Sequence, residues 1–324
     1  MKMKTNRKWL IILEAALAVT IIVLAVVMLW GENGREVNKI SVIIQNSDDT
    51  QWSAFKYGLR MAAQDRGIEM FVVSTGGTLT PEEEESIIEW EINNGADAVI
   101  VQPVPGTEEM LQRIERKVPV MLVEHTASKD RDSSMLPVTA PDNYAMGAAL
   151  AKELLKDYNK MMEGKTLGIL TETKESEAAV NREKGFADAL KDTGAEILWS
   201  VSDSSQEAAG HTLEIQRKVN FVIALDDSSL KMAGAYSAAN NLHGAMVYGI
   251  GTSTEAVYYL DMGYAECLVV PDEFNVGYES LTETAEKLKH YFGKMEDKEV
   301  SHTVMRRDNL FTKENQEILF TMSQ

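Results

Sequence analysis

The sequence lacks the residues that build covalent or metal cross-links. It has one cysteine, Cys267, among 324 residues, which excludes an intrachain disulfide framework and a thiolate metal cluster. The five histidines show no metal-binding spacing, and no serine stands in a Gly-x-Ser-x-Gly elbow. We therefore predict neither a metal nor a cofactor. Cys267 lies in a strand-like run, where a thiol usually packs as a small apolar side chain.

Basic residues are also scarce, because 32 lysines and arginines stand against 50 acids, for a net charge of −18. Such an excess of acids repels phosphate backbones and disfavours nucleic acid as a partner. Apolar residues are plentiful, at 44% of the chain. A chain of this length with that apolar content has enough residues for a sizeable core and for two lobes.

One long apolar segment, Trp9 to Trp30, follows four basic residues within the first eight positions. About 20 residues are needed to cross a bilayer, and tryptophans favour its interfaces. We predict an uncleaved transmembrane anchor over residues 1–31, with its N-terminus inside, and a polar linker over 32–37. A cleaved signal peptide is the alternative, although Met28 to Trp30 lacks the small residues of a cleavage site. In both cases the rest of the chain is expected outside the cytoplasm.

The stretch from Ile40 to Gly58 sets the pattern for the rest of the chain. The β-branched run Ile40 to Ile44 predicts a buried strand, a polar loop follows it, and Phe55 and Leu59 have helical spacing. The same alternation recurs along the chain, with a break near Ala140. Alternating βα units predict parallel sheets with helices on both faces. The predicted fold class is therefore α/β, with two doubly wound parallel-sheet lobes.

Helix starts can be predicted from capping residues. Thr80 precedes a proline and four glutamates, Glu82 to Glu85, which is typical of a capped helix whose acids lie at its positive end. Acids at loop starts are common as caps, so we predict that Asp142 and Asp227 cap helices.

Ligands of doubly wound sheets bind at the C-terminal ends of the strands. The side chains at these strand ends form the mixture of acceptors, donors and flat apolar surface that a sugar requires. Asp49, Glu124 and Asp226 supply acceptors. Arg182 supplies a planar fork of donors, and Trp52 supplies a flat apolar face. Two of these have a structural alternative, since Trp52 could be a core residue and Arg182 could form a surface ion pair.

The ordered motifs resemble the type I periplasmic binding proteins, in particular the ribose-binding-like group that serves sugar ABC transporters. The motifs run in family order over about Val37 to Gln316: ISVIIQNSDDTQWSAFKYG, GADAVIVQPV, VPVMLVEH, NREKGF, FVIALDDSSLKMAG, VVPDEFNVGYESL and LFTKENQ. The resemblance implies an N-terminal lobe at 38–140 plus 271–298 and a C-terminal lobe at 141–270 plus 299–324. A three-crossing hinge would join them.

The resemblance also implies a ligand site between the lobes. Its predicted residues are Asp49, Gln51, Trp52, Gln102, Glu124, His125, Arg182 and Asp226. Gly251 stands where the family usually has a ligand aspartate, and Pro271 stands where glutamine is frequent. The loss of two hydroxyl partners predicts a sugar or polyol other than ribose, or a larger ligand that uses the space at Gly251.

The resemblance implies a membrane-anchored extracytoplasmic solute-binding protein that presents a sugar or polyol to an ABC importer. A ligand-sensing partner of a membrane sensor histidine kinase fits the anchor and the altered pocket at least as well. A repressor of related fold would need a DNA-binding segment before Ile40, where the chain is apolar. A carbohydrate enzyme is disfavoured because the candidate carboxylates lie on opposite lobes. Gly249-x-Gly251-x-x-Thr254 also lacks the third glycine of a dinucleotide fingerprint.

Overall fold

The computed structural model describes residues 16–21, 37–77, 79–123, 136–172, 174, 176–202, 213–290 and 293–324. The chain divides into two compact units, Met1–Val37 and Asn38–Gln324. In the first unit the described residues are 16–21, which are helical and exposed, and Val37, which is exposed. No helix among the described residues is long and apolar enough to span a bilayer. The rest of the predicted membrane segment, Trp9 to Trp30, lies outside the described residues.

The second unit is built on two six-stranded sheets. The strands are β1 (Lys39–Ile43), β2 (Glu69–Val72), β3 (Ala98–Val101), β4 (Val120–Val123), β5 (Val138–Pro141), β6 (Thr166–Thr171), β7 (Glu196–Ser202), β8 (Phe221–Ala224), β9 (Met246–Ile250), β10 (Cys267–Pro271), β11 (Lys298–Val300) and β12 (His302–Met305). Their orders are β11-β5-β4-β3-β1-β2 and β12-β10-β9-β8-β6-β7. Every pair is parallel except β12 on β10. The predicted parallel sheets are confirmed.

The helices start where local sequence favours a start. They are α1 (Ser53–Arg66), α2 (Pro81–Asn93), α3 (Glu108–Glu115), α4 (Asn143–Asp157), α5 (Glu177–Ala189), α6 (Asp227–Ala238), α7 (Thr254–Asp261), α8 (Glu273–Lys289) and α9 (Lys313–Met322). At α2 the Thr80 hydroxyl accepts from the Glu83 N–H at 3.3 Å, and the Glu83 carboxylate accepts from the Thr80 N–H at 2.8 Å. This reciprocal capping box confirms the predicted helix start.

Helices cover both faces of each sheet, which defines two α/β lobes. In the N-terminal lobe, α1 and α8 contribute Leu59 and Val276 to the core on one face, and α3 contributes Leu111 on the other. In the C-terminal lobe, α5 contributes Phe186 to one face and α6 contributes Leu230 to the other. The doubly wound architecture expected from the alternating pattern is therefore present in both lobes.

The described chain passes between the two sheets three times, after β5, after β10 and between β11 and β12. The three crossings lie side by side. The Asp142 N–H donates to the Val300 carbonyl at 3.3 Å, and the Asp272 N–H donates to the Ser301 carbonyl at 3.1 Å. These bonds hold the connecting strands together where the lobes meet.

Two pairs of helices approach too closely for a side chain at the contact. A Cβ on Gly58 of α1 would collide with the Phe274 carbonyl of α8, and a Cβ on Gly185 of α5 would collide with the Tyr144 carbonyl of α4. In each lobe the helix that follows the first strand thus packs against a helix that follows a crossing. The glycine of the NREKGF motif is a packing residue, and it fixes α5, which carries Arg182.

Candidate functional site

A cleft of about 420 Å³ lies at the C-terminal ends of strands from both sheets. The N-terminal lobe lines it with parts of the loops after β1 and β3. The C-terminal lobe lines it with the loops after β6, β8 and β9 and the start of α5. Cavities of roughly 300–1,000 Å³ that combine apolar walls with a few polar groups are typical of small-molecule sites.

The wall from the N-terminal lobe is held together by Gln102 and Trp52. The Gln45 N–H donates to the Gln102 side-chain oxygen at 2.9 Å, which joins the loops after β1 and β3. The Trp52 indole N–H donates to the Gln45 carbonyl at 3.0 Å. Trp52 is only 3% exposed and packs edge-on against Phe55 at 5.4 Å between ring centroids. It is a core residue of this lobe that also lines the cleft.

Arg182 lines the cleft and is held in place by hydrogen bonds to its own lobe. Its Nε donates to Asn143 Oδ1 at 2.7 Å, and its Nη1 donates to the Leu225 carbonyl at 3.1 Å. The surface ion pair considered from the sequence is not formed among the described residues, where the Glu183 carboxylate instead accepts from the Ser200 hydroxyl at 2.8 Å. The Nη2 group has no hydrogen-bond partner among the described residues. Arg182 lines the cleft, and the two N–H donors of this group are available for hydrogen bonds to a ligand.

Asp226 caps α6, a role that the sequence analysis gave to Asp227. Its Oδ1 accepts from the Ser229 N–H at 2.8 Å. Its Oδ2 accepts from the Glu172 N–H at 2.7 Å and from the Thr171 hydroxyl at 3.1 Å. Asp226 lines the cleft, but its carboxylate already ties the loop after β6 to the start of α6. The prediction for Asp142 is confirmed, since it accepts from the Ala145 N–H at 2.8 Å at the start of α4.

Asp227 is not a cap, so that prediction is wrong. It is 5% exposed, and its Oδ1 accepts from the N–H groups of Thr252 and Ser253, each at 2.8 Å. Its Oδ2 pairs with the Lys231 ammonium at 3.2 Å. Asp227 thus binds the loop after β9 to α6. The helix begins one residue earlier than expected, which places the first of the two adjacent acids at the cap.

The space that a Cβ at Gly251 would take is filled by the protein. A Cβ at this position would lie 2.8 Å from the Ala256 side chain, 3.0 Å from that of Leu230 and 3.1 Å from Asp227 Oδ1. A side chain here would therefore point into the lobe. Gly251 itself lines the cleft, so the expectation that a larger ligand uses space beside it stays a prediction.

Gln51 lines the cleft, whereas Asp49 does not belong to the described lining. Asp49 caps a 3-10 turn over Thr50–Trp52, where its Oδ1 accepts from the Gln51 N–H at 3.1 Å. Glu124 and His125 lie outside the described residues. Of the eight predicted ligand residues, the cleft therefore gathers Gln51, Trp52, Gln102, Arg182 and Asp226.

Comparison with protein families decides the class of the chain. A family model described as periplasmic binding protein domain matches residues 40–293. The chain belongs to this family. The matched periplasmic binding domain includes both walls of the cleft. A comparison with curated protein sequences found no match.

Solved structures share the fold of this periplasmic binding domain. A carbohydrate transporter solute-binding protein from Agrobacterium radiobacter in complex with D-arabinose is 19% identical, with a TM-score of 0.75 over 88% of this chain and 99% of that one. GanP, a glucose-galactose binding protein from Geobacillus stearothermophilus, is 18% identical, with a TM-score of 0.73 over 86% and 100%. The XylFII–LytSN complex is 16% identical, with a TM-score of 0.70 over 84% and 98%. Identities this low show a shared fold.

Sequence reasoning missed two residues that build the cleft of the periplasmic binding domain. Glu273, at the start of α8, lines the cleft and is 4% exposed. Asn143, at the start of α4, holds Arg182 in place. Both follow a capping aspartate at a crossing, Asp142 or Asp272. That shared position, one residue after a cap at the point where the chain changes lobes, is the signal that could have found them.

Proposed function

We propose that the chain is an extracytoplasmic solute-binding protein that captures a sugar or polyol between its lobes. The observation that supports this most is a cleft lined by both lobes, with Trp52 and Gln102 on one wall and the Arg182 donors on the other. Those donors suit hydroxyl or ring oxygens. Solute-binding proteins of the same fold with bound sugars are consistent with this ligand class.

Capture in this proposal is a shift between open and closed arrangements. A ligand that touches both walls binds only the closed form fully, so it favours closure by its extra contacts there. The lobes themselves stay rigid because their helices pack backbone to backbone at Gly58 and Gly185. We propose Gln51, Gln102, Arg182 and Glu273 as polar contacts, with Asp226 and Asp227 fixing the loops. Asp49, Glu124 and His125 remain candidate contacts from the sequence.

We further propose that residues 1–31 anchor the protein in the membrane and that the closed form delivers its ligand to an ABC importer. The support for the anchor is the apolar segment Trp9 to Trp30 and the basic cluster before it. Recovery of the full chain in the membrane fraction would support the anchor. A mature N-terminus after residue 30 would show cleavage instead.

A sensory role is the second candidate, in which the closed form is recognised by a membrane sensor kinase. The XylFII–LytSN complex supports this second candidate, because in that complex a protein of this fold binds a second protein. Both candidates share the same ligand-capture step. They differ in the protein that recognises the closed form, and co-purification of the ligand-loaded full chain with a permease or with a kinase separates them.

The test of ligand capture is a thermal-shift and calorimetry screen on residues 38–324, which form a compact unit of their own. Monosaccharides and polyols are the probes, and we expect at least one to raise the melting temperature. If no neutral sugar or polyol raises the melting temperature, the proposal is contradicted.

Arg182→Ala should abolish the sugar-dependent shift, because the cleft loses its fork of donors. The substitution also removes two hydrogen bonds, to Asn143 and to the Leu225 carbonyl. Each is worth about 1 kcal/mol, so the sugar-free protein should melt about 4–8 °C lower. Lys184→Ala, at an exposed position of the same helix, is the control and should keep the shift. Retention of the shift in Arg182→Ala would exclude Arg182 as a contact.

A further inference from the structure

The last helix, α9, is part of the C-terminal lobe. Met322 at its end is 3% exposed and belongs to the core of that lobe, and Ile318 and Leu319 pack against the same core. The Asn315 side-chain amide donates to the Asn309 carbonyl at 2.9 Å, which ties the helix to the segment after β12. A movement of the C-terminal lobe therefore carries α9 with it.

One side chain of α9 contacts the N-terminal lobe. The Phe320 ring lies 6.1 Å from the Tyr57 ring of α1, measured between centroids, with an angle of 84° between the ring planes. Aromatic rings at this distance and in this edge-to-face geometry attract each other. Neither residue belongs to the described lining of the cleft. The contact therefore joins the two lobes outside the ligand site.

Tyr57 is held in place by its own lobe. Its ring packs against the Phe274 ring of α8 at 5.6 Å between centroids, and the Arg60 guanidinium lies 5.7 Å from its own centroid, within the range of a cation–π contact. The next residue, Gly58, brings the α1 backbone against the Phe274 carbonyl. Helices α1 and α8 therefore form one rigid support for the Tyr57 ring.

The contact between Tyr57 and Phe320 differs from the contacts at the crossings. The backbone bonds of Asp142 and Asp272 join the connecting strands to one another. Tyr57 and Phe320 instead join a helix of one lobe to a helix of the other, with no connecting strand between them. A rotation of the lobes that moves α9 away from α1 breaks this contact.

We propose that Tyr57 and Phe320, the interlobe ring pair, stabilise the arrangement in which both lobes line the cleft, before any ligand binds. The inference rests on the proposed capture between two lobes and adds a contact that regulates it. The ring pair raises the population of this arrangement relative to more open ones. It thereby reduces the free energy that a ligand must supply to hold the lobes together.

The interlobe ring pair is tested by distance measurement between spin labels on the two lobes of the full chain, without ligand. Cys267 is fully buried, so labels attach at introduced cysteines. Glu115→Cys on the N-terminal lobe and Lys184→Cys on the C-terminal lobe place them at exposed positions. Phe320→Ala removes a ring that is 55% exposed. We expect it to lower the population of the arrangement seen in the structure, relative to more open ones, about two- to tenfold, the range of an aromatic pair.

Two further variants isolate the ring contact. Phe320→Tyr keeps the ring and should keep the wild-type distances. Tyr57→Leu removes the other ring, together with its contacts to Phe274 and Arg60, and should shift the distances in the same direction as Phe320→Ala. In the double variant, Phe320→Ala should add nothing to the shift of Tyr57→Leu, because its partner ring is already absent.

Phe311→Ala is the matched control. Phe311 is 62% exposed just before α9, and it contacts no other ring in the described part of the chain. It should match the wild type. Wild-type distances in Phe320→Ala, or an equal shift in Phe311→Ala, would overturn the role of the ring pair. No sugar is present in these measurements, so their failure is distinguishable from a failed ligand screen.

Discussion

Glu84 shows how a single residue of an acidic run can differ from its neighbours. The run Glu82 to Glu85 was expected to start a helix, and it does. Glu84 alone turns inward, where it is 0% exposed and its Oε1 accepts from the Val104 N–H at 3.0 Å. Val104 lines the cleft. A buried carboxyl group therefore supports the cleft loop after β3 from behind.

Burial raises the pKa of Glu84 to about 7, against hydrogen bonds from Thr107 and Val104 that lower it. An acid whose pKa is higher in the folded state stabilises the fold fully below its unfolded value. That contribution is lost as the pH rises through about 7. We expect the free energy of unfolding to fall by up to about 3 kcal/mol from this group between pH 4.5 and pH 8.

Glu84→Gln should remove this fall in the free energy of unfolding. The stability of the variant minus that of the wild type should therefore be larger at about pH 8 than at about pH 5. Urea denaturation at both pH values measures it. Glu82→Gln, at an exposed position of the same helix, should follow the wild-type curve. Parallel pH curves for Glu84→Gln and the wild type would show that Glu84 titrates normally.

At the scale of elements, the sequence was informative about strands and weak about the contacts between loops. Short β-branched runs such as Ile40 to Ile44 can bury all their side chains only in a sheet covered on both faces, so their pattern predicted the fold. The two adjacent acids Asp226 and Asp227 could not be told apart. Which one caps α6 depends on where the helix begins. A shift of one residue decides which carboxylate caps the helix and which is buried and binds the loop after β9.

Residues that act through three-dimensional proximity carry only weak signals in the sequence. Glu273 lines the cleft, and Asn143 holds Arg182 beside it, only because the crossings bring helices from both lobes to one place. The burial of Glu84 has a weak local signal, since Ile88 and Glu91 follow it at helical spacing on the buried face. The acids around it concealed that signal, because a run of glutamates at a helix start is usually exposed.

The contact between α4 and α5 gives a prediction at this scale. Gly185→Ala should lower the free energy of unfolding by about 3 kcal/mol or more, because the new Cβ meets the Tyr144 backbone and the helices must separate. It should also weaken sugar binding, since Arg182 lies on the same helix. Denaturant unfolding and the thermal-shift assay measure the two effects.

Gly76→Ala is the matched control. A Cβ at Gly76 meets no atom within 4 Å, so we expect its stability to stay near that of the wild type. If Gly185→Ala behaved in the same way, the close approach of α4 and α5 would not be required for the fold.

At the scale of the whole molecule, the N-terminal lobe depends on segments distant in sequence. Its core includes Val276, Leu281 and Ala285 from α8 and Val300 from β11. We therefore expect residues 38–141 alone to lack a stable fold, because one face of the sheet would lose its covering helix. Near-ultraviolet circular dichroism and amide chemical-shift dispersion of this fragment measure it, with residues 38–324 as the control. Native-like dispersion in the short fragment would contradict this dependence.

The three passages of the chain between its sheets also set an order of events during synthesis. The ribosome must release β11, at Lys298–Val300, before the N-terminal sheet has its last strand, although most of that sheet emerged much earlier. Meanwhile the sheet and α1 leave uncovered the apolar surface that α8 will occupy. A nascent chain with this connectivity stays incompletely folded until late in translation, and throughout that time its exposed apolar surface can bind a chaperone.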